Sequence, residues 1–142
     1  MDNRSKDARS RNMARILSKD TCPEEIVRKY LFCKGFRYRK NVSSLPGRPD
    51  IVLPKFKTVI FVNGCFWHAH KNCKWFVKPK SNQEFWENKF AYNVARDEKN
   101  HARLIKNGWR VLVVWECEIR HGNKDICLQR LVEELLHGYS NK

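Results

Sequence analysis

The pattern of apolar and polar positions changes period several times along the chain, and each change marks a predicted element. Thr21-Cys22-Pro23-Glu24 has the form of a helix start, with Thr21 as N-cap, Pro23 in the first turn and Glu24 as a capping-box partner. That helix is expected to run to Gly35. Three β-leaning segments follow, Phe36 to Val42, Asp50 to Leu53 and Thr58 to Val62, cut by Ser43-Ser44-Leu45-Pro46-Gly47 and by Pro54-Lys55, and together they predict a meander. Ser81-Asn82-Gln83-Glu84 repeats the capping-box pattern and opens a long helix with Phe85, Phe90, Val94, Leu104 and Ile105 apolar, closed at Gly108. Trp109 to Trp115 is apolar except for Arg110, the pattern of a buried central strand. A last helix is expected over about Asp125 to His137.

Helix, three strands, helix, strand, helix is the order of an α/β fold with a mixed central sheet and helices on both faces. It is also the order of the restriction-endonuclease-like core, which it shares with many other α/β domains. With 142 residues and no internal repeat or low-complexity linker, residues 1–142 are expected to form a single domain.

Charge narrows the partners. Lys and Arg number 29 against 15 Asp and Glu, a formal charge of +14, which asks for a polyanion. Nucleic acid leads. No apolar run approaches the ~18 residues of a membrane span, and the region after Met1 lacks a signal peptide's apolar core, so a cytosolic protein without membrane contact is expected. Arg4, Lys6, Arg9, Arg11 and Arg15 make residues 1–19 a basic arm, either a tail or a helix lying on phosphate. In a reducing compartment six cysteines point to metal binding rather than disulfides, with Cys22, Cys33 and Cys127 expected simply to pack.

Chemistry concentrates between Pro49 and Cys73. Asp50 opens a strand, and the Pro46-Gly47-Arg48 turn before it is expected to expose the carboxylate at the sheet edge beside a phosphate-holding guanidinium. Phosphodiester hydrolysis needs such a carboxylate to fix Mg²⁺; an aspartate capping a turn is the plainer alternative. Cys65-Phe66-Trp67-His68-Ala69-His70-Lys71-Asn72-Cys73, with Cys117 at the end of a later strand, suits tetrahedral zinc. Cys65, His70, Cys73 and Cys117 would close a structural site, against the alternative of buried cysteines and surface histidines. That choice leaves His68 free to accept a proton from water. Phe66 and Trp67, tied down between ligands, are placed to wedge between base pairs, with Trp86 joining them or packing in the core.

Leu45-Pro46-Gly47-Arg48-Pro49-Asp50, Gly64-Cys65-Phe66-Trp67-His68, Phe85-Trp86, Asn93-Val94-Ala95-Arg96-Asp97, and Gly108-Trp109-Arg110-Val111 through Trp115-Glu116-Cys117 resemble the very short patch repair (Vsr) endonucleases over about Arg9 to Arg120. The resemblance implies that Asp50 and the Val62 backbone carbonyl bind magnesium, that His68 activates water, and that Glu24 and Asp97 support the site. It implies the same zinc set, intercalation by Phe66, Trp67 and Trp86 beside a mismatch, and entry of Met13 from the minor groove, with the basic arm as a DNA clamp. The reaction so implied is hydrolysis 5′ of the thymine in a T:G mismatch left by deamination of 5-methylcytosine. General mismatch-repair proteins are the implied collaborators. Two positions depart from the pattern: Asn63 stands where relatives carry histidine, leaving an amide to orient water, and the His70 to Cys73 spacing has one residue more than in some relatives. A restriction-type or mobile-element endonuclease of the same fold, and a zinc-stabilised DNA-binding module without activity, are the alternatives. A monomer is expected, because nicking one strand needs one active site and no dimerising heptad is present.

Overall fold

The computed structural model describes residues 22–74 and 76–140, so the basic arm, Met13 and the N-cap Thr21 lie outside the described residues. Helix α1 spans Cys22–Cys33. It ends as its glycine requires: Gly35 takes φ +93°, its N–H bonds the Phe32 carbonyl at 3.0 Å, and the Phe36 N–H bonds the Leu31 carbonyl at 3.0 Å. Leu31 and Phe36, brought together by this left-handed cap, both enter the core.

Strand β1 is shorter than expected, Arg39–Lys40 rather than Phe36 to Val42, because Asn41 turns to φ 49° and leaves the pleat. The hairpin continues through backbone bonds from Asn41 to the Asp50 carbonyl at 3.0 Å and from Val42 to the Pro49 carbonyl at 3.3 Å. Strand β2, Ile51–Leu53, passes through a 3-10 turn at Pro54–Phe56 into β3, Thr58–Asn63. Both antiparallel pairings of the meander form.

Helix α2 covers Gln83–Lys106, but the capping box at Ser81–Glu84 does not form. Its N-cap residue, Asn82, sits at φ 53° and makes no side-chain cap bond, whereas the box needs an extended residue there. Gly108, at φ +91°, closes the helix as expected. Strand β4, Arg110–Trp115, pairs parallel with β3, and the sheet order is β1-β2-β3-β4. The expected buried central strand is therefore an edge strand, and most of its residues are half-buried. Its continuous apolarity reports helices on both faces, not partners along both edges. Arg110, the polar break in that run, donates from Nη1 to the Glu134 carbonyl at 2.6 Å and from Nε to Thr58 Oγ1 at 3.2 Å.

Two helices complete the chain: the short α3, Glu116–Arg120, which the sequence pattern did not predict, and α4, Lys124–Ser140. Side-chain alternation splits the core into two layers. Ile51, Leu53, Ile60 and Val114 face Val27 and Leu31 of α1, Ile119 of α3, and Leu128, Leu131 and Leu135 of α4. Val52, Val59 and Phe61 face Leu104 of α2. The mixed sheet flanked by helices is thus borne out. Because β3 and β4 are parallel, with Asn63 opposite Trp115, the segments leaving their C-terminal ends emerge side by side.

Candidate active site and metal centre

Asp50 is carried by the β1–β2 hairpin, whose turn presses on α2. A Cβ on Gly47 would lie 3.1 Å from the Asn100 Cβ and 3.2 Å from the Phe61 ring, and Gly47 adopts φ +76°, so both space and backbone demand glycine. The turn delivers the Asp50 carboxylate inward. Its Oδ2 accepts the Val62 N–H at 2.7 Å, and it meets the Glu24 carboxyl. Burial, then the Glu24 charge, pushes Asp50 from its ordinary 3.8 up to about 8, against the opposing pull of the Val62 N–H and the Arg28 guanidinium. Arg28 Nη1 lies 3.3 Å from Glu24 Oε2, one helical turn along α1. The carboxylate is therefore not exposed beside Arg48 as the turn suggested. Arg48 is exposed, and the guanidinium acting on the acidic pair is Arg28.

His68 hangs from the next residues of the same strand end. After Asn63, which is buried, the chain winds tightly: the His68 N–H bonds the Gly64 carbonyl at 3.2 Å and the His70 N–H bonds the Cys65 carbonyl at 3.0 Å. His68 Nδ1 lies 2.5 Å from Asp97 Oδ2, with both side chains only about a fifth exposed, 22% and 20%. An ionised carboxylate offers acceptors alone, so opposite one Nδ1 is the donor, and in a neutral ring that leaves the Nε2 lone pair available. One turn before Asp97, the buried Asn93 donates from Nδ2 to the Trp67 carbonyl at 2.9 Å. Helix α2 thus grips the loop at two successive residues.

Cys65, His70, Cys73 and Cys117 converge: one donor atom from each lies within 4.8 Å of all the others. Cys65 and Cys117 arrive from the adjacent ends of β3 and β4, and the His70 ring stacks on Trp115 at 3.9 Å and 7°. Burial pushes the Cys65 thiol up to about 12, raises that of Cys117, and lowers the His70 imidazole. Three thiols and an imidazole pressed together fit one soft-accepting cation, whose tetrahedral bonds of about 2.0–2.3 Å need donors about 3.3–3.8 Å apart, a modest contraction from this arrangement. The longer His70 to Cys73 spacing is absorbed by Asn72, which turns to φ 56°. Of the other cysteines, Cys127 packs half-buried against the core, but Cys22 and Cys33, the first and last residues of α1, lie exposed rather than packed.

Phe66, Trp67 and Trp86 come together as half-buried rings, with Phe66 at 4.9 Å from Trp67 and 5.4 Å from Trp86. Phe90 and Phe76 back them, 5.2 and 6.4 Å from Phe66. Sequence reading did not single out Arg28, Asn93 or Phe76 for a role at the site, nor Phe90 beyond its apolar place on the helix. The i, i+4 spacings of Glu24 with Arg28 and of Asn93 with Asp97 were available signals. No such spacing marks Phe76.

The family described as DNA mismatch endonuclease Vsr matches residues 1–74. The chain is 53% identical over 130 residues to the Type II nicking enzyme V.NmeAIP of Neisseria meningitidis serogroup A, covering 89% of this chain and 91% of that protein. It is 42% identical over 139 residues to the DNA mismatch endonuclease Vsr of Escherichia coli, covering 96% of this chain and 88% of that protein. It is 45% identical over 118 residues to the Type II nicking enzyme V.XorIIP of Xanthomonas oryzae, covering 83% and 86%.

Proposed function

Because the chain belongs to the family of Vsr DNA mismatch endonucleases, and is a DNA endonuclease with a restriction-endonuclease-like fold, we propose that it nicks the thymine strand on the 5′ side of a T:G mismatch by magnesium-dependent hydrolysis. The observation that carries this reading is the pairing at one strand end of a half-buried carboxyl, Asp50 on the Val62 amide, with an imidazole, His68, that Asp97 orients.

Asp50 and the Val62 carbonyl would hold the magnesium, and two carboxyls buried against each other fit it, since a cation relieves their repulsion. When bound, the ion supplies positive charge to the scissile phosphate and acidifies water. His68 Nε2 takes the proton of the attacking water, and Asp97 stabilises the imidazolium that forms. Glu24 and Arg28 keep Asp50 in place, and the Asn63 amide orients water where relatives use an imidazole. Arg48, exposed on its turn, meets a phosphate. The products carry a 5′-phosphate and a 3′-hydroxyl.

Phe66, Trp67 and Trp86 intercalate beside the mismatch, where a defective pair costs least to unstack. Met13 and the basic arm, outside the described residues, clamp the other groove. Zinc fills the four-donor cluster, pinning α3 to the loop that carries His68. The enzyme works as a monomer on chromosomal DNA in the bacterial cytoplasm, handing its nick to general repair. Among the described residues no helix is long and apolar enough to cross a membrane.

A second reading, a restriction-type endonuclease of the same fold with a different target, is favoured by relatives named Type II nicking enzymes. One assay separates the two: strand-resolved cleavage of labelled duplexes containing T:G, T:A, C:G or other mismatches in varied flanks, with magnesium or with EDTA. A magnesium-dependent nick confined to the thymine strand of T:G supports the first reading. Cutting of matched duplex supports the second, and binding without cutting overturns both.

A further inference from the structure

Trp86 is the ring of the aromatic cluster that α2 carries, and a cavity of about 120 Å³ opens beside it. Trp86 and the buried Phe90, stacked 5.7 Å apart at 28°, wall this cavity, and the exposed Lys78, Gln83 and Glu87 rim it. At 3.6 residues per turn, Gln83, Glu87 and Phe90 fall on one flank of Trp86 and Lys89 on the other. Among the described residues no cation pairs with Glu87. In a chain of charge +14, an uncompensated carboxylate beside the aromatic cluster is costly on a face that meets DNA, because phosphate repels it. It gains there only opposite a hydrogen-bond donor. In the major groove the donors are the amino groups of cytosine and adenine, and adenine sets an acceptor, N7, next to its amine where cytosine does not.

We propose that Glu87 and Gln83 are specificity-determining residues that read the base pairs flanking the mismatch, with Glu87 selecting a cytosine. The inference rests on the intercalation proposed above for Trp86. Once that ring is in the stack, Glu87, its neighbour in the chain, reaches the adjoining base pair. Gln83 stands one helical turn from Glu87, about 6 Å, so the two side chains span about two base-pair steps of 3.4 Å. Phe66, 5.4 Å from Trp86, and Phe90 brace the ring, so the depth of the wedge fixes which step the rim meets. The Glu87 carboxylate accepts from cytosine N4 and turns away guanine and thymine, whose major-groove edges offer no donor. The Gln83 amide, donor and acceptor together, matches N6 and N7 of adenine. Lys78, the cation of the rim, meets phosphate and holds the helix in register. Discrimination by Glu87 is thus as much rejection of the wrong base as attraction of the right one.

The test is single-turnover nicking by the full-length protein, with magnesium, of a library of T:G duplexes whose base pairs are randomised on both sides of the mismatch, the cut and uncut molecules being sequenced. Wild type is expected to favour cytosine over guanine by about tenfold or more at one position within two base pairs of the mismatch. Glu87→Gln, the same shape without the charge, should bring that ratio to within about twofold of one and leave the preferences at other positions in place. Gln83→Ala should relax the adjoining position instead. Both residues are exposed, so unchanged melting temperatures are expected to accompany these shifts. A wild type without a cytosine preference there, or a Glu87→Gln protein that loses rate equally in every flank and keeps the preference, overturns the inference. If wild type nicks T:G in no flank, the proposed function fails, and sequencing the duplexes that the protein retains in EDTA decides the inference separately: a cytosine preference that Glu87→Gln removes upholds the base reading, and its absence overturns it.

Discussion

Asp50 pairs the clearest sequence signal with the largest electrostatic cost. Between the ordinary aspartate value of 3.8 and about 8, the folded protein holds a proton on this carboxyl that the unfolded chain has released. Asp50 therefore favours folding most at acid pH, and that contribution falls as pH rises toward 8. Asparagine escapes the penalty. Without added magnesium, Asp50→Asn is expected to melt several °C above wild type at pH 8, a gap that narrows toward pH 5, while nicking is lost and DNA binding is kept. Calorimetry at both pH values reads this, and a variant that melts lower at pH 8 would contradict the carboxyl pairing. Asp50 and His68 could be picked out because each lies in a run whose chemistry is local. Arg28 and Asn93 could not, because a guanidinium or an amide on a helix face has no meaning until the fold says what it faces.

At the level of elements, the site depends on how the Pro46-Gly47-Arg48 turn seats on α2. Gly47→Ala meets a backbone φ of +76° and contacts near 3.1–3.2 Å from Asn100 and Phe61, and the Asn100 Cβ, fixed to the helix backbone, cannot give way without moving α2. We expect a loss of about 1–3 kcal/mol in stability, together with a fall in nicking rate, because the displaced turn carries Asp50 off the Val62 amide. Denaturant unfolding and a single-turnover assay test both parts, and undiminished activity would show that the turn is not what seats Asp50. The helix ends at Gly35 and Gly108 were readable, since a glycine after an apolar run is itself the physical stop. The Ser81 capping box was not realised. Its composition is right, but Asn82 turns left-handed as the chain arrives from the metal loop, a constraint imposed from outside the motif.

For the whole molecule, the four-donor cluster brings together donors from the ends of β3 and β4, where a bound metal would cross-link them. A zinc chelator should release close to one equivalent of metal per chain, lower the melting temperature by several °C, and abolish nicking in a way that magnesium does not restore and zinc does. Metal analysis alongside thermal melts measures this; a protein purified without bound metal that melts unchanged under chelation would remove zinc from the account. The +14 charge fits the same picture, a basic body built to hold a polyanion around one small acidic centre.

Composition and local pattern by themselves determined the α/β layering, the meander, the nucleic-acid partner and the Cys65-to-Cys73 run of thiols and imidazoles, because each follows from residue type and short-range spacing. Tertiary structure decided the rest. The parallel pairing of β3 and β4 sets Cys117 beside Cys65 across more than a third of the chain, and the packing of α2 on the sheet turns Asp97 toward His68 and Asn93 toward Trp67. Those placements depend on strand order and helix docking, which arise from burying two apolar faces at once and leave no mark in any single stretch of sequence.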